Sequence, residues 1–293
     1  MNTSSTPTRV EHHHVDIDGL STFYRAAGDP ANPVIVLLHG FPSSSHMFRE
    51  LIPLLADRFR VIAPDYIGFG HSAAPTVEQF DYSFDKLAAH MRALLDRIGV
   101  TEAIYYMHDY GGPIGLRLAT ARPALVRGLV VQNANAYVEG LTPAVSGVFM
   151  PLWEKGDESG ARQMLLADTT RMQYTAGARD AAALNPDAWV LDQALLDRPG
   201  SAERQMALFN DYRNNVPLYE AWQAYFRTHQ PKTLVAWGRG DPFFGVPGAE
   251  AFRRDLKDVR VELLDSGHFA LEEDAARVAE LIEQTFGAGY RVA

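Results

Sequence analysis

The chain contains no cysteine in its 293 residues. That absence excludes disulfides, thiolate zinc sites, iron–sulfur clusters and a cysteine nucleophile together, and it fits a reducing compartment, so the expected location is cytoplasmic. No run of lysine and arginine occurs, and the formal net charge is -9. Such a surface repels phosphate backbones, so nucleic acid is not an expected partner. No apolar run approaches the length that spans a bilayer, and Met1 to Val10 are polar with no apolar leader stretch, so neither a membrane span nor a secretory signal is expected. Internal repeats and low-complexity tracts are missing as well. So is any G-x-S-x-G, the usual signature of a serine nucleophile on a strand-to-helix turn.

What remains is an ordinary globular composition, 47% hydrophobic and 22% charged, enough for one large domain or one domain with a sizeable insertion. Val34 to Leu38 is uniformly apolar and rich in β-branched residues, as a strand buried on both faces must be. Val61-Ile62-Ala63, Ile104 to Met107 and Leu129 to Val131 repeat the signature, and Leu234 to Trp237 and Val261 to Leu264 come later as further strand runs. Amphipathic helical patterns lie between them, notably Phe84 to Ile98, and a last one runs from about Leu271 to Phe286. This alternation predicts a mostly parallel sheet with helices on both faces. Val10 to Ala26 reads instead as a two-strand hairpin around Asp18-Gly19. Its His12-His13-His14 is expected on a surface strand, because neighbouring strand residues point to opposite faces and cannot converge on one metal ion.

Residues 137–230 break the alternation. They lack strand runs and hold three of the four tryptophans. The expected organisation is therefore a core of residues 1–136 and 231–293, with 137–230 a helical cap inserted between two strands above the ligand-side loops. Met150, Trp153, Phe209 and Trp222 suggest that the cap brings an apolar pocket with it.

Sheet enzymes place their chemistry at the carboxyl ends of strands. After Ile104 to Met107 comes His108-Asp109-Tyr110-Gly111-Gly112-Pro113, a tight turn into a helical pattern, with Asp109 at its apex. Small residues let the backbones approach there. Gly111 and Gly112 meet that need on one side, while Met107 stands where the usual pattern has its first glycine. The strand ending at Trp237 leads to Asp241, and the strand ending at Leu264 leads to His268. Nucleophile, acid and histidine thus follow one another in the chain order of an α/β-hydrolase fold. Taken singly, Asp109 also reads as a helix cap, Asp241 as a turn former and His268 as a loop histidine. His39-Gly40-Phe41-Pro42 follows the Val34 to Leu38 strand, at the loop that supplies one backbone N–H of an oxyanion hole. That donor is Phe41, and the second is Tyr110.

These residues, together with Asp65-Tyr66-Ile67-Gly68-Phe69-Gly70-His71-Ser72 and Gly267-His268-Phe269, resemble the epoxide hydrolase and haloalkane dehalogenase branch of the α/β-hydrolase superfamily across essentially the whole chain. The resemblance implies Asp109 as nucleophile, His268 as base and Asp241 as its orienting acid. It implies no cofactor and no metal, and a small apolar organic substrate. Dehalogenases of the branch carry Trp after the nucleophile and an N–H donor after His-Gly, where this chain has Tyr110 and Phe41. Tyr212-Arg213-Asn214 is similar to the cap motif of epoxide hydrolases, which makes Tyr212 the acid that protonates the opening ring. Tyr174 is the counterpart offered for a second cap tyrosine. Trp153 and Trp189 are the alternatives as halide donors, and His39, His108, Trp153 and Tyr174 are the expected substrate contacts. Epoxide opening is the leading reading. Haloalkane or haloacid dehalogenation, ester or lactone hydrolysis, and ligand binding on a hydrolase scaffold stay open beside it, as does monomer against homodimer.

Overall fold

The computed structural model describes residues 9–287. Most of the polar opening stretch, residues 1–8, therefore lies outside the described residues, and its reading rests on sequence alone. Eight strands form one sheet: β1 (Glu11–Ile17), β2 (Leu20–Ala27), β3 (Val34–Leu38), β4 (Arg60–Pro64), β5 (Ala103–His108), β6 (Val126–Gln132), β7 (Thr233–Gly238) and β8 (Val259–Leu264). Their order is β1-β2-β4-β3-β5-β6-β7-β8. The first two pair antiparallel as the expected hairpin, and β2 pairs antiparallel with β4; every later pairing is parallel. The central strands β3, β5 and β7 are apolar because both faces are covered, and Ile35 to Leu38 and Leu234 to Trp237 are fully buried.

The helices are α1 (Leu51–Leu55), α2 (Phe84–Arg97), α3 (Gly111–Ala121), α4 (Pro143–Lys155), α5 (Ser159–Gln163), α6 (Ala167–Thr175), α7 (Asp187–Leu196), α8 (Ser201–Asp211), α9 (Tyr219–His229), α10 (Val246–Asp255) and α11 (Leu271–Phe286). Ser83 starts α2 by accepting from the Lys86 N–H, and its buried residues Phe84, Leu87, Met91, Leu94 and Leu95 recur at the three- and four-residue spacing of one face. Two core clusters result, one on each side of the sheet.

Helices α4 to α8 lie between β6 and β7 in the chain, and α9, which follows them, sides with the sheet layer. Its Phe226 is fully buried against Tyr137 and Phe252, Gln223 donates to the Ala136 carbonyl at 2.9 Å, and Arg227 pairs with Asp255 at 2.9 Å. By its contacts the insert ends near Leu218 rather than at 230. Helical periodicity alone cannot say which layer an amphipathic helix covers. Among the described residues no helix is long and apolar enough to cross a membrane, and no group of three metal-ligating side chains comes together. The three histidines of β1 alternate across the strand, with His12 and His14 against Phe23 and His13 stacked on Tyr24.

Candidate active site

Asp109 occupies the turn between β5 and α3 with φ +49°, a left-handed conformation that a non-glycine residue adopts only where its surroundings enforce it. Gly40 is one reason the turn fits. A Cβ there would lie 2.3 Å from the Asp109 Cβ, so the two loops touch only because residue 40 has no side chain. The missing glycine at Met107 has a compensation eight residues downstream. A Cβ on Gly115 would sit 2.6 Å from the Met107 side chain, so the room that the usual elbow makes in the strand is made here in the helix above it.

The Phe41 N–H donates to Asp109 Oδ1 at 2.7 Å. Burial raises the Asp109 pKa to about 6, against the pull of His268 and of the Phe41 and Tyr110 backbone N–H groups, which favour the ionised form. The His268 Nδ1–H donates to Asp241 Oδ2 at 2.7 Å, with both side chains buried. Burial disfavours the imidazolium, but the Asp241 charge and hydrogen bond outweigh it, and the His268 pKa is raised. Asp241 is fully engaged: Oδ1 accepts from the N–H groups of Phe243 and Phe244 at 2.7 and 3.1 Å, and Oδ2 also accepts from Asn133 Nδ2 at 2.8 Å.

Asn133 is the residue that sequence reasoning missed. It sits at the end of β6 with φ +46°; its carbonyl accepts from the Asp109 N–H at 3.2 Å, its Oδ1 from the Gly238 N–H at 2.9 Å, and its amide donates to Asp241. One residue, by its carbonyl and its side chain, thus ties the ends of β5, β6 and β7 together. The signal was available, since Gln132-Asn133 follows an apolar strand run as Asp241 and His268 do.

A cavity opens above these groups, lined by Phe41, Asp109, Tyr110, Val145, Phe149, Met164, Gln173, Phe209, Tyr212, Phe243, Phe244 and His268. The expected nucleophile, base, oxyanion residues and cap tyrosine therefore share one wall system. Tyr212 is held from several sides. Trp153 stacks on it with ring planes 3° apart, Phe84 meets it edge-on, and the neighbouring Asp211 accepts from the Phe84 N–H at 2.7 Å. Burial, with the Tyr219 hydroxyl and the Asp109 charge, holds the Tyr212 pKa well above its ordinary value, so it stays a protonated donor.

None of the four expected substrate contacts is on the cavity wall. His39 is fully buried behind the Phe41 loop: its Nδ1–H donates to the Gly40 carbonyl, its Nε2 accepts from the Tyr66 N–H, and burial lowers its pKa to about 4. His108 donates through Nδ1 to the Gln132 carbonyl and is kept neutral by burial beside His268. Trp153 donates its indole N–H to the Phe209 carbonyl at 2.8 Å. Tyr174 stacks on Phe269 at 3.9 Å and donates to Asp192 at 2.5 Å, away from the cavity. Trp189, the other offered halide donor, packs against Tyr174 and is also off the wall. Of the four residues expected to bring an apolar pocket, Phe209 lines it, whereas Met150 is partly exposed and Trp222 is buried in the core.

The alpha/beta hydrolase fold family profile matches residues 33–275. The chain belongs to that family. An uncharacterized hydrolase from Saccharomyces cerevisiae is 42% identical over 281 residues, covering 94% of this chain and 96% of that protein. A haloalkane dehalogenase from Bradyrhizobium diazoefficiens is 32% identical over 91% of this chain and 76% of its own length. Among solved structures, the epoxide hydrolase CorEH superposes with TM-score 0.79 over 95% of this chain and 99% of that one at 21% identity, a likeness of fold. The protein is thus a hydrolase of the epoxide hydrolase and dehalogenase branch, and its relatives carry names from both sides, an epoxide hydrolase 4 from Mus musculus being 25% identical over 92% of this chain and 77% of its own length.

Proposed function

We propose that this hydrolase opens epoxides to vicinal diols through an ester on Asp109, with the α4 to α8 insert acting as the cap over the site. The observation that carries this reading is the placement of donors. A tyrosine hydroxyl, Tyr212, shares the cavity wall with Asp109, while the Trp153 indole N–H is bound to a backbone carbonyl and Trp189 lies off the wall.

The chemistry follows from these residue types. A carboxylate attacking an acyl group would form an anhydride, whereas attack on a strained sp3 carbon forms a stable ester. The free oxygen of Asp109 bonds to an epoxide carbon, the C–O bond breaks, and the Tyr212 O–H protonates the leaving oxygen. His268, oriented by Asp241, then takes a proton from water, and the resulting hydroxide adds to the Asp109 carboxyl carbon. The oxyanion forms on the oxygen that Phe41 already contacts, and the Tyr110 N–H is its second donor. Collapse breaks the acyl C–O bond, and the departing alkoxide takes the proton held by His268 to complete the diol. The proton of the new carboxyl group returns through the site to the Tyr212 oxygen, which restores the carboxylate and the phenol.

Two outcomes check this. With styrene oxide and 1,2-dibromoethane as alternative substrates, diol should form from the first much faster than bromide from the second. Tyr212→Phe should slow diol formation by about 10² to 10⁴-fold, the usual worth of a positioned acid. Bromide release without diol would reverse the assignment to dehalogenation, the reading that the Bradyrhizobium relative's name favours.

The pH profile has a required sign. Asp109 must be ionised to attack, and His268 must be neutral to accept a proton. Both conditions fail as pH falls, His268 first because its pKa is raised and Asp109 near its value of about 6. Steady-state turnover should therefore lose activity on the acid side at a higher pH than single-turnover alkylation does. Asp241→Asn removes the charge that raises His268, so the acid limb of turnover should move to lower pH while the plateau rate falls.

A further inference from the structure

Gln173 is a polar side chain that the reaction does not use. It projects from α6 into the cavity wall, is 2% exposed, and its Nε2 has no hydrogen-bond partner among the described residues. Leaving a buried donor unpaired is unfavourable, so such a group in a native cavity wall is placed to take a bound acceptor. The next turn of chain fixes where it stands. A Cβ on Gly177 would lie 1.9 Å from the Gly240 carbonyl, and one on Gly267 would lie 2.4 Å from the Ala176 carbonyl, so this segment is pressed against the loops that carry Asp241 and His268. Tyr174, the neighbour of Gln173, is stacked on Phe269, beside His268. Gln173 therefore sits on the histidine side of the cavity, while Tyr212 packs with Tyr110 and Phe84. Apart from Asp109, Tyr212, His268 and Tyr110, whose hydroxyl also has no hydrogen-bond partner among the described residues, the lining around it is hydrocarbon and aromatic: Phe41, Val145, Phe149, Met164, Phe209, Phe243 and Phe244.

We infer that Gln173 is a specificity-determining residue, and that the substrate is an apolar molecule carrying a hydrogen-bond acceptor oxygen, such as a carbonyl or ether, that Gln173 Nε2 binds. This rests on the cavity being the substrate site but not on the fate of Asp109. On a largely apolar wall away from the reacting groups such a donor favours a ligand that satisfies it and penalises the matching hydrocarbon, which leaves it unpaired.

Binding without chemistry tests it. Butylbenzene and its isomeric chain ketones share one carbon skeleton and differ by one carbonyl oxygen, and none can alkylate Asp109. Calorimetric titration of the wild type should show at least one ketone binding about tenfold more tightly than butylbenzene, the effect of one well-made hydrogen bond. Gln173→Leu, of similar size, should bring the two within about twofold by loss of ketone affinity. Tyr212→Phe should leave the preference in place. The inference is overturned if no ketone is preferred by the wild type, or if Gln173→Leu keeps the preference, in which case the oxygen is held elsewhere and Gln173 serves the reacting water or the wall. Failure of the ester mechanism would leave all these constants unchanged, so the two ideas fail separately.

Discussion

Replacing Asp109 with alanine should lower kcat by about 10⁴-fold or more, the scale seen when a covalent nucleophile is removed from a site that otherwise still binds. The fold should survive. Asp109 is a buried carboxylate whose pKa of about 6 lies above the ordinary value. An acid with a raised folded-state pKa costs stability as pH rises from its unfolded value to its folded one, and the cost is complete above about pH 6. Two pKa units correspond to a penalty on the order of 3 kcal/mol at neutral pH. Alanine removes that penalty and leaves the Phe41 N–H without its acceptor, which offsets part of the gain. A thermal melt at pH 7.5 should therefore show a midpoint no lower than the wild type. A dead variant that melts well below the wild type would instead mark Asp109 as a structural cap.

His268→Gln should separate the two half-reactions. Attack by Asp109 on carbon needs no proton from His268, but hydrolysis of the ester does. One equivalent of substrate should be consumed and turnover should then stop, with intact-protein mass raised by one substrate. The imidazolium also pulls the Asp109 pKa down, so in this variant Asp109 ionises at higher pH and trapping should be most complete above pH 8. A variant that simply binds substrate without gaining mass would show that no ester forms.

The strands and the three groups at their carboxyl ends were legible because each signal is local. Val34 to Leu38, Ile104 to Met107 and Leu234 to Trp237 are apolar through their whole length, and Asp109, Asp241 and His268 stand two to four residues beyond the ends of strand runs. Beyond those groups, the Phe41 and Tyr110 loops, Phe209 and Tyr212, the cavity wall was not legible, because it depends on rotation about helices and on which side a loop presents. Gln173 and Tyr174 are consecutive on α6, about 100° apart around the axis, and the aromatic residue was the more conspicuous of the two. It is the glutamine that faces the cavity. On α4, Val145 and Phe149 line the wall at four-residue spacing, while Trp153, one turn further, has passed beyond it and supports Tyr212 from behind. His39 and His108 adjoin residues of the site in sequence, yet their rings turn into the protein interior and bond to backbone. The Met107 departure was visible, but its partner Gly115 was not, since only the packing of α3 on β5 brings the two together.

The central claim is that a side-chain oxygen of Asp109 is transferred to product and replaced from water. A single turnover of excess enzyme in oxygen-18 water, followed by mass analysis of the first diol and of the peptide containing Asp109, reads this directly. The account predicts an unlabelled diol and an Asp109 peptide heavier by one oxygen-18. A labelled diol with an unlabelled peptide would mean that water attacks the substrate itself and would contradict the ester.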